Sequence, residues 1–328
     1  MYRLSDIRTL HLEITSRCQA SCPMCARNLQ GGVENPWVVI DEVTLDTFKE
    51  WFSVEFLKQL NRLYMCGNLG DPVVASDTVL IFKYLREINP TINLSMNTNG
   101  SARSKAFWQE LAELGVSIRF GIDGLEDTHA LYRVGTDWKK IIDNATTFIN
   151  NGGYAIWDML VFEHNLHQVN QCKQMSIDLG FKEFYSKNTS RFRDDCHHVL
   201  DKDGRTTHIL YPSIKSQSIT KSFQEYNLTE NKVINCKALA EKSIYINSQG
   251  EVSPCCWLDF TGVPPISPAK VDFLDNNFKN HSLKTQTLSE IFNNDYFSRV
   301  EATWKDRPLK QCSKQCGQID KLNIQFKD

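Results

Sequence analysis

From Leu10 to Thr15 (LHLEIT) apolar and polar residues alternate and strand formers dominate, which predicts a first β-strand. Over Thr44 to Leu60 (TLDTFKEWFSVEFLKQL) the apolar positions fall instead at helical spacing, and a short apolar run at Leu63 to Cys66 follows. Val79, Leu80, Phe82, Leu85 and Ile88 then recur at intervals of three and four, predicting a helix over Thr78 to Ile88. It leads through an Asn-Pro stop to a strand at Thr91 to Met96. The alternation repeats with Ser104 to Leu114 as helix and Val116 to Phe120 as strand, then Trp138 to Asn150 as helix and Tyr154 to Phe162 as strand. A helix at Val169 to Leu179 and a strand at Phe181 to Tyr185 complete the series. Six strand-helix units at this spacing predict an α/β fold of parallel strands joined by right-handed crossovers, fewer than a closed eightfold barrel holds.

Beyond them the pattern changes. Asp194 to Lys232 is polar, with Gly204 in a charged turn and Pro212, and reads as a long connection or a substrate-covering segment. Tyr245 to Asn247, a turn at Ser248 to Gly250, and Glu251-Val252 read as a short hairpin, with a further helix near Leu283 to Val300. With 328 residues the chain can bury a core of roughly 200 residues and add a smaller module. The expected division is residues 1–230 and 231–328.

The formal charge of −2 and the lack of a basic stripe imply no electrostatic funnel for nucleic acid, although contact with a nucleotide or a single exposed base stays open. No stretch approaches 18 uninterrupted apolar residues, and the N-terminus lacks the apolar block of a signal peptide. A cytoplasmic protein with no membrane partner is the expectation. Eleven cysteines in an unexported chain then read as metal ligands before disulfides, because reducing compartments do not keep disulfides.

Three of them, Cys18, Cys22 and Cys25, share one short run, TSRCQASCPMCARN, just after the first strand. At that spacing they can hold three corners of a 4Fe-4S cube and leave the fourth iron open for a chelating small molecule. No fourth cysteine follows until Cys66. The arrangement resembles the CxxxCxxC signature of the radical S-adenosylmethionine (radical SAM) superfamily. That resemblance implies a partial (β/α)6 TIM-like barrel, SAM chelated to the unique iron, and one-electron cleavage of SAM to methionine and a 5'-deoxyadenosyl radical that abstracts a hydrogen atom from a substrate. It also implies a flavodoxin- or ferredoxin-type reductant.

Within the resemblance, Met24 stands where the family places a bulky residue over the adenine, and its thioether suits that contact. Cys66-Gly67-Asn68-Leu69-Gly70-Asp71-Pro72 looks like the Gly-Gly-Glu motif that receives the SAM amino group, which makes Asn68 and Asp71 ligand candidates. Ser95 and Asn97, with Asn99, end the third strand where the family contacts ribose or the methionine carboxylate. Phe120 to Gly124, with Tyr132, Arg133 and Gly135 downstream, resembles the Ser-x-Asp-Gly and Tyr-Arg-x-Gly elements, with Gly121 in place of the serine. Asp123 and Arg133 are cofactor-binding candidates on that ground, and Arg133 can pair with a carboxylate through two hydrogen bonds. Asp158, Glu163 and His164, with Asn165 and His167, cluster at and after the fifth strand, where tuned carboxylates and imidazoles can move protons.

Cys236, Gly250 with Cys255 five residues on, Cys312 and Cys316 match the auxiliary-cluster pattern of SPASM and Twitch domains of radical SAM enzymes. Four cysteines can fully ligate a second 4Fe-4S cluster, as in the shorter Twitch arrangement. Cys256 is an alternative to Cys255, and four thiolates also suit structural zinc. Cys172 reads as a core thiol, and Cys196-His197-His198 as a trio with no fixed role.

A fully ligated second cluster favours electron acceptance. The expected reaction is dehydrogenation of a small alcohol, amine or sugar-like substrate, as in single-auxiliary-cluster aminoglycoside dehydrogenases. The alternatives are oxidation or crosslinking of a peptide, thiol-dependent epimerisation through Cys66, Cys172, Cys196 or Cys256, and nucleotide modification. A first strand starting by about residue 10 leaves no room for an N-terminal peptide clamp, which a separate protein would then supply. A non-enzymatic electron carrier or structural iron-sulfur protein is the remaining class.

Overall fold

In the computed structural model, which describes residues 3–192, 194–213, 233–275, 278 and 281–317, all six expected parallel strands are present. They are β1 (Thr9–Leu12), β2 (Arg62–Met65), β3 (Asn93–Thr98), β4 (Ser117–Gly121), β5 (Tyr154–Val161) and β6 (Glu183–Asn188), each paired in parallel with the next. The crossovers carry α1 (Leu45–Trp51), α2 (Val54–Lys58), α3 (Thr78–Ile88), α4 (Lys105–Glu113), α5 (His129–Tyr132), α6 (Trp138–Asn150) and α7 (Val169–Asp178). β6 forms one edge of the sheet, so the arc stays open as a partial barrel does.

Alternation along each strand sorts the side chains by face. Leu63, Met65, Leu94, Met96, Ile118, Phe120, Trp157 and Met159 belong to one buried apolar cluster with Phe48, Phe82, Leu85, Trp108 and Phe148 from the helices. Each such residue contributes about 1.5–3 kcal/mol when fully buried. The alternate positions Tyr64, Ser95, Asn97, Arg119, Asp158 and Lys187 are polar and supply the other face, where the chemistry lies.

Several boundaries move for local reasons. The run from Thr44 to Leu60 is two helices, because Phe52 is extended and the Ser53 side chain accepts from the Phe56 amide and caps a new start. β3 begins two residues late, since the Arg86 guanidinium binds the Pro90 and Ile92 carbonyls. β6 starts after Phe181, whose amide still closes on Ser176 of α7. β1 ends at Leu12, and Thr15 bridges to Glu42 instead. The polar stretch after Asp194 contains a two-stranded hairpin, β7 (His197–Leu200) and β8 (Thr206–Leu210).

The C-terminal region does not stand apart. After α8 (Lys237–Ala240), β9 (Ser243–Ile246) lies parallel to β1, opposite β2, and β10 (Glu251–Ser253) and β11 (His281–Ser282) extend the same sheet antiparallel. The order is β11-β10-β9-β1-β2-β3-β4-β5-β6. The hairpin turn is held by Asn247, whose Oδ1 accepts from Gln249 and Glu251, while Gly250 takes φ +80° where a Cβ would meet Trp51 at 2.8 Å. Among the described residues four α-helices follow β10: α9 (Pro268–Asp275), then, past β11, α10 (Leu288–Asn293), α11 (Tyr296–Asp306) and α12 (Lys310–Cys316). The single helix expected near Leu283 to Val300 is thus α10 and part of α11, divided where Asn294 is extended and caps the Tyr296 amide. The expected division at residue 230 lies outside the described residues.

Candidate active site

The loop after β1 is pinned at both ends. Ser16 Oγ donates to the Val39 carbonyl, the buried Arg27 guanidinium donates to the Ser16 carbonyl, and the Ser21 amide bonds the Val134 carbonyl. Between these points the backbone turns at Cys22 to Cys25, with 3.0 Å from the Cys25 amide to the Cys22 carbonyl. Cys18, Cys22, Cys25 and Met24 pack in a second apolar cluster with Ala20, Tyr132, Phe162, Phe192, Val199 and Leu210. The hairpin β7–β8 closes over this loop: His197 Nε2 meets the Pro23 carbonyl at 3.2 Å, and the Leu200 amide bonds Gln30. Arg191 donates to the Met24 carbonyl at 3.0 Å.

Burial pushes the Cys22 thiol up to about 11 and Cys18 higher still; the Arg133 guanidinium opposes this at Cys22. Such thiols stay protonated unless a cation takes the proton's place, which is what a ligated iron does. Three sulfurs on one loop, two of them desolvated, packed with apolar side chains, fit a cluster with one open iron.

The polar residues around the loop are tied to one another. Asp71 is fully buried and accepts from Thr98 Oγ1 (2.8 Å), the Asn99 amide (2.7 Å), Asn99 Nδ2 (2.6 Å) and the Val73 amide (3.1 Å). Asn99 in turn accepts from Gln19 and reaches Cys18 Sγ at 3.7 Å. Asp71 is therefore occupied in aiming Asn99 at the cysteine loop. Asn68 donates to Tyr245 Oη and to the Cys256 carbonyl, joining this loop to the C-terminal hairpin. Asn97 donates to Cys66 Sγ at 3.2 Å, and the buried Ser95 Oγ has no partner.

Arg133 and Asp123 form a buried ion pair, Nε to Oδ2 2.5 Å, while the other Asp123 oxygen accepts from the Leu160 amide. The Arg133 guanidinium also lies close enough to Cys22 for its charge to oppose the effect of burial on that thiol. Asp123 is held further by His129, whose Nδ1 accepts from the Asp123 amide and whose pKa burial lowers to about 3. The Arg133 guanidinium thus has its carboxylate within the chain.

The three acid-base candidates stand in different surroundings. Asp158 sits between Lys187 Nζ (2.8 Å) and Arg119 Nη1 (3.6 Å). Glu163 and His164 lie on the 3-10 turn Glu163–Gln168; Glu163 is exposed, and His164 stacks on Phe162 with its pKa lowered by burial to about 4. No hydrogen bond or ion pair links these three side chains among the described residues. Their neighbourhood in sequence comes from a strand end turning into a helix, which sends successive side chains different ways. Likewise His197 goes to Pro23 and His198 to Thr206, so the trio beginning at Cys196 is dispersed.

Sequence reading missed Glu13. It lies just beyond β1, buried, with Oε1 accepting from the Leu69 and Gly70 amides at 2.7 and 3.0 Å and Oε2 accepting from Tyr245 Oη, which also bonds Asp259. Burial raises its pKa to about 7. Gly70 is obligatory there, since a Cβ would fall 1.8 Å from the Thr15 carbonyl oxygen.

The second cysteine set meets in one cavity, lined by Cys236, Cys255, Cys312 and Cys316 with Val300 and Trp304. Cys312 and Cys316 are four apart on α12 and share a face, and the Ile234–Gly317 bridge brings Cys316 beside Cys236. Burial first, and the other thiols next, push Cys255 and Cys312 up to about 12. Cys256 is not in this cavity; its charged neighbours besides Cys255 are Cys66, Asp259 and Glu13. A cavity that offers four thiols among mainly apolar side chains, with Gln311 and Gln315 also in its wall, fits an iron-sulfur cluster.

Two family models match the chain. The radical SAM superfamily matches residues 12–167, and the iron-sulfur cluster-binding domain SPASM matches residues 236–317. The chain thus carries a radical SAM domain and a SPASM iron-sulfur domain, which imply SAM, the SAM-binding 4Fe-4S cluster and further iron-sulfur in the C-terminal region. It is 30% identical over 184 residues to the PqqA peptide cyclase of Bradyrhizobium diazoefficiens, covering 51% of this chain and 43% of that protein. It is 30% identical over 132 residues to the tungsten-containing aldehyde ferredoxin oxidoreductase cofactor-modifying protein of Pyrococcus furiosus, covering 39% and 34%. These matches span less than half the length of either relative.

Among solved structures, anSMEcpe with bound AdoMet superimposes with a TM-score of 0.57 at 16% identity, covering 90% of this chain and 84% of that one. Streptococcus suis SuiB bound to the precursor peptide SuiA gives 0.55 at 14%, covering 89% and 66%. These likenesses show the fold alone. Among the described residues no helix is long and apolar enough to cross a membrane.

Proposed function

We propose that this chain is a radical SAM enzyme that modifies a peptide, with Cys18, Cys22 and Cys25 holding the SAM-binding cluster and Cys236, Cys255, Cys312 and Cys316 an auxiliary one. The similarity to a peptide cyclase within a chain that carries both the radical SAM and the SPASM match carries the reading. It favours the peptide over the small alcohol, amine or sugar-like substrate, which becomes the second reading. When bound, the first cluster and SAM supply a 5'-deoxyadenosyl radical by one-electron cleavage, with the electron delivered by a flavodoxin- or ferredoxin-type protein.

The chain's own residues prepare that chemistry. The apolar wrap of Tyr132, Phe162 and Phe192 keeps water from the cysteine loop, which protects a reactive species from side reactions. Asp71 fixes Asn99 and Arg133 fixes the Cys22 side of the loop, so these act as positioning groups. Ser95 Oγ, without a partner in the protein, and Asn68 and Asn97 are the polar groups offered to SAM. Asp158, held between Arg119 and Lys187, is the carboxylate offered to substrate and a proton acceptor. Glu163 and His164, which share no hydrogen bond or ion pair with it among the described residues, have no part in the proposed chemistry.

The test is mass spectrometry of anaerobically reconstituted protein with SAM and a reductant, following deuterium from labelled peptides and from labelled small metabolites into 5'-deoxyadenosine. Transfer from a peptide is expected. Transfer from a small alcohol or amine alone would replace the peptide reading with dehydrogenation, and no 5'-deoxyadenosine from fully loaded, reduced protein would sink both.

A further inference from the structure

In α11, Tyr296, Val300 and Trp304 recur every four residues and so share one face. Val300 and Trp304 line the four-cysteine cavity. The Trp304 indole nitrogen is fully buried, yet no acceptor in the protein satisfies it. Cys312 lines the same cavity as Trp304. A buried N–H of this kind is ordinarily paired, and a thiolate bound to a cluster is the acceptor the cavity would offer. The Tyr296 hydroxyl, also buried without a partner, lies within the influence of Cys255 and Cys312. One helix therefore brings the unmet Trp304 donor to the wall of the four-sulfur cavity.

We propose that Trp304 is a positioning residue of the auxiliary cluster, donating its indole N–H to the Cys312 thiolate and raising the cluster's reduction potential. A hydrogen bond to a ligand sulfur withdraws electron density and favours the reduced, more negative state; such bonds are among the factors that set these potentials. A cluster so tuned accepts an electron more readily. The inference rests on the assignment of the four cysteines to an auxiliary cluster and is independent of whether the substrate is a peptide.

The test uses the full chain with Cys18→Ala, Cys22→Ala and Cys25→Ala, reconstituted with iron and sulfide so that only the auxiliary cluster is present. Iron content reads the assignment, and a potentiometric titration followed by electron paramagnetic resonance reads Trp304. With Trp304→Phe the iron content should hold, and the reduced-to-oxidised ratio at a fixed poise should fall about tenfold, about 59 mV for a one-electron couple. Unchanged iron with an unchanged potential overturns the role of Trp304. No iron in the parent overturns the assignment, and the inference with it.

If Trp304→Phe takes up no iron, Trp257→Phe carrying nitrogen-15 tryptophan decides, because Trp257 is the other indole lining the cavity. A nitrogen-15 coupling to the reduced cluster in that variant supports the bond, and its absence overturns it.

Discussion

Gly121 leaves the space that the Arg133 guanidinium fills: a Cβ at residue 121 would stand 2.6 Å from Arg133 Nη2. The residue expected there from the superfamily pattern is serine, and its absence on β4 leaves room for the Arg133 guanidinium to reach Asp123. Gly121→Ser should force the guanidinium aside and destabilise the fold by about 1–3 kcal/mol, as overpacking does. Arg133→Leu should cost more, about 3–5 kcal/mol, by leaving the Asp123 carboxylate buried and unpaired. Chemical denaturation of both variants checks the order. A Gly121→Ser protein as stable as the parent and equally loaded with iron would mean that the loop does not depend on this contact.

Glu13 gives a pH dependence with a definite sign. Its carboxyl holds its proton up to about pH 7 in the folded protein against 4.5 unfolded, so between those values the native state binds more protons. Stability from this group is full below about pH 4.5, falls as pH rises, and is lost above about pH 7. The fall is on the order of 3 kcal/mol. In Glu13→Gln the amide oxygen can still accept from Leu69 and Gly70 and the amide nitrogen can face Tyr245, with no proton to lose. The parent's stability should decline relative to this variant across that window, measured by urea denaturation at a series of pH values. Parallel curves would show that Glu13 titrates as it does unfolded.

His129 and His11 bias stability the opposite way. Burial lowers their pKa values to about 3 and about 4 from 6.5, so each contributes stability that is present above pH 6.5 and lost as pH falls toward those values. His129 accepts from the Asp123 amide and meets Thr136, so protonation would put a donor against a donor. His129→Gln should lessen acid lability below pH 6 while lowering stability at pH 8, read from thermal denaturation at the two pH values. An unchanged acid limb would assign that lability to other groups.

What the sequence disclosed was local. The strands and most helices follow from hydrophobic period, and the loop Cys18 to Cys25 is read from spacing because its function is contained in eight residues. The Glu13–Tyr245 bond joins residues 232 apart and depends on β9 docking beside β1, which no periodicity announces. The Arg119–Asp158–Lys187 group arises from the register of three strands, and each member alone reads as a solvated charge. Ser53 was hidden because the apolar spacing runs unbroken across the two helices it separates. Proximity in sequence says less at Glu163 and His164, where a strand gives way to a 3-10 turn after Asp158.

The choice between Cys255 and Cys256 is the sharpest case, since spacing cannot separate neighbours. Cys255 has extended backbone angles, φ −156° and ψ 162°, and in extended chain successive side chains point to opposite sides. Cys255 therefore turns into the cavity of Cys236, Cys312 and Cys316, while Cys256 turns toward Cys66 and Glu13 on the barrel side. Cys255→Ser should remove about half of the iron of the reconstituted protein, since one of two 4Fe-4S clusters loses a ligand. Cys256→Ser should leave the iron content at the parent level, and Cys22→Ala should remove the other half together with all SAM cleavage. Iron and sulfide analysis of the three variants, each with 5'-deoxyadenosine formation measured alongside, separates these outcomes. Loss of iron in Cys256→Ser with retention in Cys255→Ser would reverse the two assignments and require the hairpin end to turn by one residue.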